Sequence, residues 1–106
     1  MKQATQLQLL AVGYDTAMME VIERLLNSHA DWKGTVAHSK QEGIEKMKKN
    51  RYDAVLLCAG VTAADETAFR ATVEEEGLTT KIIRHYGGGS GLLENELRAA
   101  FNQSGL

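Results

Sequence analysis

The stretch "YDAVLLC", residues 52 to 58, decides the fold. From Ala54 to Cys58 it is apolar without alternation, which is how a strand reads when both faces of a parallel sheet are covered. Gly60 closes the run. A strand covered on both faces requires helices on either side, and the flanking sequence supplies them in order.

Upstream, "LQLLAV" at 7–12 is a second short apolar run, and Gly13 ends it, so it reads as a strand. Met18, Val21, Ile22, Leu25 and Leu26 then recur at helical spacing and are expected to form an inward face. Asp15 or Thr16 can cap that helix, since a short side-chain oxygen accepts from a free N–H of the first turn. The helix is expected to end near Asn27 and Ser28. "WKGTVAH", residues 32–38, has the mixed polarity of an edge strand. Ser39-Lys40-Gln41-Glu42 is a capping box, in which Ser39 accepts from the Glu42 N–H and Glu42 reaches back to the N–H of Ser39. Ile44 and Met47 point inward from the helix it opens, with Lys46, Lys48 and Lys49 outward, and Asn50 ends it.

Downstream, residues 62–76 are expected to form a third helix, capped at Thr62 with Asp65 three residues on, with Phe69 and Val73 on one face and the acidic run Glu74-Glu75-Glu76 at its end. Residues 81–86 read as a fourth strand. Residues 92–101 read as a fourth helix that aligns Leu93, Leu97, Ala100 and Phe101. The order βαβαβαβα with short joints implies parallel strands and right-handed crossovers, hence a three-layer open α/β sheet. We expect one domain spanning 1–106.

Composition narrows the function. The chain has 106 residues, 43% hydrophobic and 25% charged, which suits a globular fold large enough to need no disulfide or metal staple. A formal net charge of -2 gives no overall electrostatic case for nucleic acid or an anionic membrane. The single Cys58 leaves no intramolecular disulfide and fits a reducing compartment. The apolar run at the N-terminus, Leu9 to Val12, is too short for a signal-peptide core or a membrane span, so a cytoplasmic protein is expected. There is no proline, so every turn is built from Gly, Asn, Asp or Ser.

Two segments carry a resemblance. "LQLLAVGYDTAMMEVIERLL" and "SKQEGIEKMKKNRYDAVLLCAG" resemble the receiver domain of two-component response regulators, over about the first two-thirds of the chain. The resemblance implies a flavodoxin-like fold with strand order 2-1-3-4-5. It also implies a phosphoryl group carried on an aspartate at the end of the third strand, with Mg²⁺ held by two acids after the first. Those places fall on Cys58 and on Gly13 and Tyr14. The position that the family fills with Thr or Ser, after strand four, falls on His85, and its Lys-Pro pair has no counterpart. The span between Tyr86 and Leu92 is too short for a further helix and strand, so the expectation is a shortened receiver of strand order 2-1-3-4, its fifth strand lost. With a thiol at the acceptor place, it is expected to signal through a protein partner without phosphorylation, and to need no cofactor.

Open α/β sheets bind ligands at the carboxyl ends of their strands, at the switch in strand order. Any small-molecule site is therefore expected to be lined by Gly13, Tyr14, Asp15, Cys58, Gly60 and His85. Gly87, Gly88, Gly89 and Ser90 stand beside them. This glycine stretch lacks the full dinucleotide fingerprint and the Gly-Lys-Ser/Thr of a P-loop. It can still present N–H groups to an anion at a helix start, or serve as a plain joint. Cys58 with His85 can be read as a nucleophile and base, as part of a metal site with Asp15, or as a buried small hydrophobe and a polar strand end. Losing a fifth strand makes strand four an edge, at which Lys81, Ile82, Ile83, Arg84 and Tyr86 are candidates for pairing with a second copy. A homodimer through that edge or through the last helix is expected.

Overall fold

The computed structural model describes residues 6–58, 60–85, 95–97 and 99. Four strands, β1 (Leu7–Val12), β2 (Trp32–Ala37), β3 (Ala54–Leu57) and β4 (Lys81–Arg84), form one parallel sheet in the order β2-β1-β3-β4. Helices α1 (Thr16–Asn27), α2 (Lys40–Lys49) and α3 (Ala63–Glu75) connect them. The expected α/β architecture and strand order are as read from the sequence. Among the described residues β4 is an edge strand.

Alternation along the strands sorts the core into two layers. Leu9, Ala11, Leu56 and Cys58 face one way and pack with Met19, Ile22 and Leu26 of α1. Leu10, Val12, Val55 and Leu57 face the other way and pack with Met47 of α2 and Phe69 of α3. Leu97, in a helical stretch near the C-terminus, joins the α1 side and is buried there. Leu93, Ala100 and Phe101, expected to align with Leu97, lie outside the described residues.

The inward face of α1 differs from the expectation. Met19, Ile22 and Leu26 are buried, Leu25 is half-buried, and Met18 and Val21 are exposed at 38% and 45%. Gly34 of β2 explains the rotation. A Cβ there would collide with Leu26, whose Cδ1 would be only 2.8 Å away, so the missing side chain lets Leu26 seat directly on β2. Once Leu26 is fixed, the residues four and seven positions before it, Ile22 and Met19, turn inward with it.

The helix starts are local and follow the sequence. Asp15 accepts from the Met18 N–H at 3.0 Å, Ser39 from the Glu42 N–H at 3.0 Å, and Thr62 from the Asp65 N–H at 3.1 Å. The return bond of the capping box is shifted by one residue: Glu42 accepts from the N–H of His38, at 2.8 Å. At the end of α3 the Leu78 N–H donates to Val73 O and the Gly77 N–H to Glu74 O, a Schellman closure with Gly77 at positive φ.

Candidate functional site

The carboxyl ends of the strands meet as the topology requires. The Cys58 N–H donates to Val12 O at 2.8 Å, and the His85 N–H to Leu57 O at 2.9 Å. Gly13, Cys58 and His85 thus stand side by side at the mouth of the sheet. Gly87, Gly88, Gly89, Ser90 and Tyr86 lie outside the described residues.

The mouth is packed shut at Gly13. A Cβ built there would overlap the Sδ of Met19 and lie 3.2 Å from Cys58 Cβ. Met19 therefore fills the space that any side chain at residue 13 would enter, and its thioether presents no hard oxygen to a cation. Asp15, the nearby acid, accepts from the first turn of α1 as its cap. Mg²⁺ prefers octahedral oxygen ligation. A thioether and one committed carboxylate do not fit it. Among the described residues no three His, Cys, Asp or Glu side chains cluster to hold a metal.

Tyr14 crosses the mouth from the β1–α1 joint. Its hydroxyl donates to Asp65 Oδ2 at 2.7 Å, at the start of α3. Its ring passes over Gly60, whose φ of +97° suits a residue without a side chain. Partial burial, then the bond to Asp65, pushes the phenol up to about 12. The same bond, first among its causes, holds the Asp65 carboxyl below its ordinary value. Sequence reasoning names Asp65 only as a cap-region residue; its pairing with Tyr14 depends on the tertiary fold.

Cys58 is fully buried, and burial pushes its thiol up to about 12, with the Glu96 carboxylate adding to the rise and Arg84 opposing it. Its Sγ makes only a weak contact with Leu56 O at 3.9 Å. The reading of Cys58 and His85 as nucleophile and base is not supported. The His85 ring nitrogen Nδ1 lies 2.5 Å from Glu96 Oε1, so the histidine is engaged with the last helical stretch. Glu96 has no local signal in the sequence. It lies eleven positions beyond His85, past the glycines.

Arg84 also turns inward. Its Nη1 donates to Val61 O at 2.7 Å, and its Nη2 meets Glu66 at 2.9 Å. Arg70 joins the same carboxylate at 2.9 Å, and these two cations hold Glu66 below the ordinary carboxylate range, Arg70 first. Of the candidate edge residues, Ile82 and Ile83 pack partly against the two core layers, and each is half-buried.

No family model and no curated protein matches the chain. Solved structures do. Chemotaxis protein CheY4 of Vibrio cholerae, crystallised at low pH, superposes with a TM-score of 0.62 at 13% identity, covering 90% of this chain and 98% of that one. A CheY-like response regulator receiver domain protein from Methanospirillum hungatei gives 0.61 at 16% identity, covering 87% and 76%. A further structure of the Vibrio CheY4 gives 0.58 at 15% identity, covering 89% and 98%. The chain is similar to these in fold, and the receiver-like, flavodoxin-like architecture expected from its sequence is the one it has.

Proposed function

We propose that this chain is a non-enzymatic pseudo-receiver, a cytoplasmic signalling or interaction module that works through a protein partner and is not phosphorylated. One observation carries the reading: Met19 occupies the space beside Gly13 against Cys58. In the receiver pattern that space belongs to acids holding Mg²⁺, beside an aspartate that accepts phosphate. Here the acceptor place holds a buried, protonated thiol, and a thiol forms no acyl phosphate. The receiver-like fold supports the signalling class, and the exposed Met18 and Val21 on α1 offer apolar surface for a partner. No helix among the described residues is long and apolar enough to cross a membrane.

Beryllofluoride and Mg²⁺, added to ¹⁵N-labelled protein, test the reading. The expected result is an unchanged spectrum. Saturable shifts centred on Gly13, Cys58 and His85 would overturn it. The β4 edge is the proposed surface for a second copy, and light scattering over a concentration series checks that part. A mass fixed at one chain up to millimolar concentration excludes the dimer while leaving the pseudo-receiver reading intact.

A further inference from the structure

At the opposite end of the sheet lies a cleft of about 400 Å³. Its lining comes from separate parts of the chain. Lys33 and Thr35 stand two apart on β2 and so share one face. Lys46 and Asn50 stand four apart at the end of α2, on one side of the helix. Arg51 follows in the turn, and Gln8 of β1 and Tyr52 complete the lining. Three cations and four neutral polar groups line it, and no carboxylate does. In a chain of net charge -2, that is a local concentration of positive charge.

We infer that this cleft binds a compact phosphorylated anion carrying at least two phosphate groups. The alternative role for the cations, complementing the carboxyl end of α2, does not account for them. A helix terminus presents roughly half a negative charge, and three full positive charges exceed it. Asn50 already serves that end, since its N–H donates to Lys46 O at 2.9 Å and its side-chain amide reaches the same oxygen at 3.4 Å. Lys46 has only a long contact with Glu42, at 3.9 Å, and no ion pair holds Lys33 or Arg51 among the described residues. An anion seated among the three relieves their mutual repulsion.

The floor of the cleft is prepared for polar contact. Tyr52 is buried and lines the cleft together with Thr35 of β2 and Asn50 at the end of α2. Arg51 contributes a planar fork that matches phosphate oxygens two at a time, while Lys33 and Lys46 act as point charges. The volume lies in the usual range for small-molecule sites, and the polar lining selects against an apolar ligand. The cations converge in one concavity rather than along a stripe, which favours a small ligand over a nucleic-acid backbone. Lys48 and Lys49, on the outward side of α2, add to the field that draws an anion in.

Pyrophosphate and ATP, titrated without metal into ¹⁵N-labelled protein, test the inference. The expected result is saturable shifts at Gln8, Thr35, Lys46, Asn50 and Arg51, weakened as salt is raised. The double variant Lys33→Gln, Arg51→Gln is expected to raise Kd by roughly tenfold or more, with unchanged thermal stability because both residues are exposed. The control Lys49→Gln is expected to change Kd less than about twofold. Absence of saturation, an undiminished affinity in the double variant, or shifts centred on residues 87–90 would overturn the assignment. An affinity that grows with the length of an added oligonucleotide would overturn it in favour of nucleic acid.

Discussion

The sulfur of Met19 lies where a side chain on Gly13 would begin. The glycine and the methionine are therefore one packing unit. Gly13→Ala is expected to cost about 1–3 kcal/mol by overpacking. Met19→Ala alone is expected to cost about 2–5 kcal/mol by leaving a cavity. Together they are expected to cost clearly less than the sum, because each change makes room for the other. Urea unfolding of the four proteins measures the cycle, and simple additivity would contradict the contact.

Cys58 governs the alkaline side. Its thiol is raised from 9.0 to about 12 in the folded chain. Below pH 9 both folded and unfolded chains keep the proton, and the contribution to stability is complete. As pH rises from 9 towards 12 the unfolded chain loses the proton first, and stability falls. Tyr14, raised from 10.0 to about 12, acts in the same direction over a higher window. Stability measured between pH 8 and 11 should decline, and less steeply in Cys58→Ala. Thiol-reactive dyes should label the native chain only through unfolding, so a rate matching that of a free thiol at pH 8 would contradict the burial.

The acid side depends on Tyr14 and Asp65. A carboxyl held below its ordinary value in the folded chain stabilises above its unfolded value, and that contribution is lost as pH falls through the folded one. Tyr14→Phe removes the first cause of the depression. The variant is expected to be slightly less stable than the parent at neutral pH, since the bond it removes is exposed. It should also lose less than the parent as pH falls below the ordinary aspartate value. Thermal unfolding from pH 7 downward follows both.

The rotation of α1 has a direct test. Met18→Glu and Val21→Glu are expected to change stability by less than about 0.5 kcal/mol each, since both side chains are exposed. Ile22→Ala is expected to cost about 2–5 kcal/mol. A reversal of that ranking in denaturant would restore the face expected from the periodicity.

What was legible followed from how local each signal is. β1 and β3 announce themselves as short apolar runs, and the caps Asp15, Ser39 and Thr62 as side chains within one turn of the N–H they serve. Two apolar stripes run along α1, offset by one position, and spacing alone does not choose between them. Gly34, outside the helix, makes the choice by admitting Leu26. The pairings at the sheet mouth are likewise tertiary. Tyr14 meets Asp65 fifty-one positions away, and His85 meets Glu96 across the glycine stretch. The polar cleft gathers residues from β1, β2, α2 and the turn before β3, none of which forms a motif by itself.

Asp53 sits at the foot of β3, in the stretch that first marked the fold. Its N–H donates to Gln8 O at 2.7 Å, its carboxylate accepts from the Gln8 N–H at 2.7 Å, and its carbonyl accepts from the Lys81 N–H at 3.0 Å. One residue thereby fastens three strands at a single point, like the rivet of a fan. β1, β3 and β4 are thus pinned together at the end away from Gly13, Cys58 and His85, while β2 is held from β1 alone.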